Sequence, residues 1–133
     1  MVSALLWILV LQAAALLAQG VLAGLSLTAA GGPLLNAHMA VGTVSLLLAA
    51  VQVGTALLLW RQGREPSWLA AANVLFLAAD SVQAVAGSAR LLALHLPLGV
   101  ALFGAAVALL MWSREQARNE VRLRQGARGT VAG

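Results

Sequence analysis

The chain contains two histidines, and they stand in matching contexts: His38-Met39-Ala40-Val41-Gly42 and His95-Leu96-Pro97-Leu98-Gly99 both read His-x-x-x-Gly. On a helix this spacing puts each glycine one turn from its histidine on the same face, where a small residue leaves room for a flat group beside the imidazole. Two imidazoles on facing helices can supply both axial ligands of a haem iron while an apolar bundle encloses the porphyrin. The competing reading is structural: each histidine bonds a neighbouring helix and each glycine permits close packing. Matched depth and matched repeat position favour ligation, because ionisable groups inside membrane spans tend to be functional. Zinc or copper would be short of ligands, with two histidines and no cysteine. Lack of cysteine also excludes disulfides, a nucleophilic thiol and covalent haem attachment.

Two further polar positions could act on such a centre. Asp80 is an acidic group deep in an apolar run, and Gln83 lies at i+3 on much the same face. A bare carboxylate in hydrocarbon costs several kcal/mol. Asp80 therefore reads either as a proton relay beside a haem or quinone, with Gln83, or as a neutral group bonded to Gln19 or to a carbonyl. Arg90 lies five residues before His95. It can pair with a haem propionate or reach lipid headgroups. Gln12 and Gln52 face the bundle and specify nothing by themselves.

The elements that position these residues are apolar. Hydrophobic residues make up 62% of the 133 and charged residues 9%, with a mean hydropathy of +0.93, so lipid must be the main solvent. Apolar runs extend over Val2 to Leu27, Pro33 to Trp60, Ser67 to Gly87 and Leu91 to Trp112. Each is long enough to cross a bilayer, which takes about 20 residues. Between them lie breakers: Gly31, Gly32 and Pro33, then Arg61 to Pro66, then Ser88 to Arg90. The fold class is all-α, an integral membrane four-helix bundle made of two helical hairpins in parallel repeat, followed by a basic tail over 113–133. Composition predicts that 126–133, rich in small turn-prone residues, is unstructured. The first run has no Lys or Arg before it, which favours a retained helix over a cleaved signal peptide.

Repeated hairpins place His38 and His95 on the two even-numbered helices, which run in the same direction. Both imidazoles then lie roughly 6 to 8 Å inside the same membrane boundary at about 1.5 Å per residue. The repeat is weak outside the His-x-x-x-Gly segments, although Gln19 to Gly24 and Gln83 to Gly87 echo each other.

The segment Gln19-Gly20-Val21-Leu22-Ala23-Gly24, followed by Asn36-Ala37-His38, resembles the first hairpin of the haem A synthase family, and His95 resembles the second ligand of one of its four-helix halves. The resemblance covers most of one half. It implies one haem b per chain, held between the second and fourth helices. Those enzymes have two halves, with an acidic residue three positions before the histidine in the catalytic one, where this chain has Leu35. Many members carry cysteines in the outer loop that this chain lacks. The resemblance thus implies a cofactor-holding bundle more than haem A synthesis.

Taken together, the residues point to a bis-His membrane haem protein working in electron transfer or haem handling, with a membrane redox partner or a larger complex. The alternatives are a cofactor-free accessory subunit and a quinone-linked oxidoreductase; no catalytic triad, phosphate loop or paired carboxylate set is present. The eight Arg do not point to nucleic acid. Seven lie in the turn after the second run or in the tail, and the five Arg and two Glu of the tail suit anionic lipid headgroups. The positive-inside rule puts that side in the cytoplasm, with both termini, at the plasma (inner) membrane. Trp7, Trp60, Trp68 and Trp112 mark the same ends of the four runs, as an interfacial aromatic belt requires. A tag at the C-terminus is therefore expected to resist an impermeant label in intact cells and to react after lysis; labelling in intact cells overturns this topology.

Overall fold

The computed structural model describes residues 2–28 and 32–131, which form four helices: α1 (Val2–Thr28), α2 (Gly32–Arg61), α3 (Ser67–Ser88) and α4 (Leu92–Val131). All four are long and apolar enough to span a membrane. Helix ends fall within one residue of the apolar runs, except that α4 continues through the tail to Val131. That corrects the expectation for 126–131: once a helix is nucleated, each added residue gains a hydrogen bond, and this propagation carries it through Gly126 and Gly129. Residues 132 and 133 lie outside the described part, as do 29–31 of the first loop.

Pro33 sits at the start of α2, where its missing N–H would have no helical partner anyway. The α2 end is closed by a Schellman cap, with Arg64 N–H bonded to Leu59 O and Gly63 N–H to Trp60 O. Gly63 takes the left-handed position, φ 66°. The end of α3 repeats this cap, with Leu91 N–H on Ala86 O and Arg90 N–H on Gly87 O. There the left-handed residue is Arg90 itself, φ 57°.

The helices form a ring in which α1 packs on α2, α2 on α3, α3 on α4 and α4 back on α1. Thus α1 faces α3 across one diagonal, and α2 faces α4 across the other. Leu5, Leu9, Leu16, Ala49, Leu59, Leu69, Phe76, Leu102, Ala106 and Leu109 form the apolar core. Large apolar side chains such as Leu11, Val51, Leu75 and Val100 cover the outside, a surface suited to lipid and not to water. Trp68 and Trp112 pack edge to face at 4.5 Å, tying the start of α3 to the end of the spanning part of α4.

The interior extends the repeat well beyond the histidines. A shift of 64 residues carries the buried Leu5, Leu9, Gln12 and Leu16 of α1 onto the buried Leu69, Asn73, Phe76 and Asp80 of α3. A shift of 57 carries the buried Ser45, Ala49, Gln52 and Ala56 of α2 onto the buried Leu102, Ala106, Leu109 and Ser113 of α4. The same shifts relate Gln19 to Gln83, His38 to His95 and Gly42 to Gly99. The two hairpins are therefore equivalent in most of the positions they bury, Leu59, Ala70 and Ala86 being exceptions whose counterparts are half-buried.

Candidate histidine centre

His38 and His95 meet across the α2–α4 diagonal, at the end of the bundle away from the tryptophans. Their ring centroids are 6.1 Å apart and the rings are inclined at 78°. Both are half-buried. Each is oriented by its own hairpin: His38 Nδ1 lies 3.2 Å from the backbone carbonyl of Gln19, and His95 Nδ1 lies 2.9 Å from that of Gln83. A carbonyl can only accept, so His95 Nδ1 carries the hydrogen and Nε2 keeps its lone pair. Metal-ligating histidines are commonly oriented in this way.

At His38 a second group intervenes. The Gln19 carboxamide is pressed against the same turn of α2, one end 2.6 Å from Gly42 N–H and the other 2.5 Å from His38 Nδ1. Its oxygen is assigned to the Gly42 side, since the reverse sets two donors against each other. His38 Nδ1 then lies between an accepting carbonyl and a donating amide, and either tautomer has a partner. Withdrawing the Gln19 side chain would commit the ring to hydrogen on Nδ1.

The glycines serve a different immediate neighbour from the one their spacing suggests. A methyl group on Gly42 would come 2.5 Å from the end of the Gln19 carboxamide, and one on Gly99 would come 2.8 Å from that of Gln83. The space beside each imidazole thus holds a glutamine, the same one in both hairpins. A third glycine, Gly87, supports the His95 ring directly: a Cβ there would lie 2.7 Å from Cε1. Pro97, inside α4, leaves the carbonyl of Ala93 without its helical donor two residues from His95.

Asp80 does not join Gln83 or Gln19. Its Oδ2 accepts a hydrogen bond from Ser45 Oγ at 3.0 Å, and Ser45 Oγ accepts one from Gln12 Nε2 at 2.8 Å. One heptad towards the tryptophan end, Gln52 Nε2 donates to Asn73 Oδ1 at 2.5 Å, and Asn73 Nδ2 donates to Leu69 O. These five side chains are 0 to 4% exposed, so they are fully desolvated. Ser45 and Asn73 carry no signal as isolated residues. The signal lies in their spacing, since Gln12 and Gln19, His38, Ser45 and Gln52, and Asn73 and Asp80 recur at sevens, the repeat of an inward-facing stripe.

Arg90 is exposed in the α3–α4 loop. Two concavities lie elsewhere: a groove of about 450 Å³ between α2 and α3, lined by Ala70 and Val74, and one of about 380 Å³ between α3 and α4, lined by Ala72, Phe76, Ala105 and Leu109. Both are almost wholly apolar and open to the lipid side, so they offer no chemistry. Among the described residues no three His, Asp or Glu side chains converge, so the donor set at the centre is two imidazoles. Comparison with protein-family models, curated proteins and solved structures finds no match.

The support of His95 by Gly87 can be tested without any cofactor. Gly87→Ala is expected to push the ring off Gln83 O, so that the 15N signals of His95 lose the single Nδ1–H tautomer, at a stability cost of about 1 to 3 kcal/mol. Gly24→Ala, where an added methyl group meets nothing within 4 Å, should leave both imidazoles unchanged. An unaltered His95 tautomer in Gly87→Ala would overturn the assignment.

Proposed function

We propose that the protein binds one b-type haem through His38 and His95 and serves membrane electron transfer or haem handling. The observation that carries this reading is the pairing of two imidazoles, each held by a carbonyl of its own hairpin, at 6.1 Å. With metal–nitrogen bonds of about 2 Å, an iron between two imidazoles sets their centroids about 6 Å apart. Of the buried and half-buried positions related by the repeat, His38/His95 and Gln19/Gln83 are the pairs polar in both hairpins. Such a matched pair, His38 and His95, would hold one haem iron equally from the two hairpins.

When bound, haem supplies one-electron redox chemistry; the chain's own residues bind and insulate it. The imidazoles provide the iron ligands, and the Gln19 and Gln83 carbonyls orient them and raise their basicity. The apolar walls of the bundle exclude water. Arg90, at the water-facing end of the hairpin that carries His95, supplies a cation for a propionate. Its backbone takes the left-handed cap position that favours glycine, as at Gly63, which leaves the side chain at the exposed turn. The positive-inside rule places the Arg-rich end, with both termini, on the cytoplasmic side of the plasma (inner) membrane, and so the histidine centre near the opposite face.

Protein purified in detergent from haem-replete cells is expected to show a low-spin Soret band that His38→Ala or His95→Ala abolishes; a colourless wild-type protein overturns the reading. Arg90→Gln should keep the haem but lower its midpoint potential by about 1 kcal/mol equivalent, because an unpaired propionate favours the oxidised iron. An unchanged midpoint in a redox titration would instead assign Arg90 to lipid headgroups.

A further inference from the structure

Apart from the two histidines, Asp80 is the one ionisable side chain among the described residues in the apolar, membrane-spanning parts of the helices. It is 4% exposed and ends a chain of hydrogen bonds that all point at it: Gln12 N–H to Ser45 oxygen, then Ser45 O–H to the Asp80 carboxylate. The fold does not require this chain. Under the repeat, Asp80 corresponds to Leu16, Ser45 to Leu102, Gln12 to Phe76, Gln52 to Leu109 and Asn73 to Leu9, all buried. Equivalent sites in the same bundle thus pack with apolar side chains, and one hairpin's worth of core has been given up to polar groups.

Those groups are arranged in depth. Ser113 lies near the tryptophan end, Gln52 and Asn73 come next, and Gln12, Ser45 and Asp80 follow. Ser45 stands seven residues, roughly 10 Å of helix rise, from His38. Among the described residues Gln12 Oε1, Gln52 Oε1, Ser113 Oγ and, near His95, Gln83 Oε1 are buried without a hydrogen-bond partner in the protein. Such atoms normally bond buried water, and the first three lie at successive depths between the tryptophan end and Asp80, forming a polar column.

We propose that Asp80 is a redox-linked proton acceptor: it takes up one proton, delivered along this column, when the iron at the histidine centre gains one electron. The inference rests on the haem reading above. The balance is one electron from an external one-electron donor reducing Fe(III) to Fe(II), and one proton from water converting the Asp80 carboxylate to the carboxylic acid, so the net charge inside the membrane is unchanged. In a low-dielectric interior an added electron is poorly screened across such a separation, and a nearby carboxylate is the group that can offset it. The chain's other titratable groups facing this region are the two imidazoles on α2 and α4, and α1 offers none; a bound haem would add its propionates.

The test is a potentiometric titration of the holoprotein, with dithionite as reductant, between roughly pH 5 and 9. Full linkage makes the one-electron equilibrium change tenfold per pH unit, about 59 mV. The slope should flatten in Asp80→Asn, an isosteric change that still accepts from Ser45, and persist in Asp80→Glu. Reduced-minus-oxidised infrared spectra should show a carboxylic C=O band that Asp80→Asn removes. If Asp80→Asn does not assemble, Ser45→Ala, which removes the donor to Oδ2, should displace the pH window of the slope. A wild-type slope retained in Asp80→Asn assigns the proton to the propionates and overturns the proposal, as does a pH-independent midpoint or a window unmoved by Ser45→Ala. Those failures leave a coloured protein; a colourless one overturns the haem reading first.

Discussion

Lipid tails are as apolar as leucine, so in a membrane the burial of leucine gives helices little reason to associate. What holds this bundle is close packing together with hydrogen bonds shielded from bulk water. Gln12, Ser45 and Asp80 connect α1, α2 and α3 in sequence, and Gln52 and Asn73 join α2 to α3 again. Hydrogen bonds of this kind contribute about 0.6 to 2 kcal/mol each. The fourth helix is attached differently, by the His95 bond to Gln83 O and the Trp68–Trp112 contact at opposite ends of the α3–α4 hairpin. The interior is therefore polar where three helices must register and apolar where packing suffices.

Duplication gives this interior its logic. Two hairpins that bury largely equivalent positions share one polar feature in the interior, the Gln–His–Gly unit, and differ over the rest of the core. In that unit a single glutamine acts twice, its carbonyl orienting the imidazole while its carboxamide fills the space over the glycine one turn on. Symmetry is retained where two matched groups face each other and lost where one hairpin alone holds the buried carboxylate.

Much of the fold was legible in the sequence because the signals were strong and local. Runs of apolar residues, Pro66 and the glycines, and four tryptophans at corresponding ends fix the number and direction of the helices. The histidine pair was legible from its repeated motif. Its detail was not: the glycines predicted to flank a flat group touch Gln19 and Gln83 instead, since a side chain from the neighbouring helix reaches that space first. Asp80 bonds Ser45 and not Gln19, because α1, which carries Gln19, sits diagonal to α3 and α2 lies alongside it. Serine and asparagine are common in membrane helices, and only a count of sevens across three helices separates Ser45 and Asn73 from the background.

The unbroken length of α4 has a mechanical consequence. Pro97 removes one backbone hydrogen bond beside His95, and from there the helix runs without interruption to Val131. Between Pro97 and Trp112 that helix is held by Leu102, Ala106 and Leu109 in the core and by the Trp68–Trp112 contact. Beyond Trp112 it projects about 28 Å further at 1.5 Å per residue. A tilt of about 5° there would carry the tip roughly 2 Å sideways. The arginine-bearing end is thus a stiff outrigger, its distance from the bundle set by an unbroken helix and not by a slack tail.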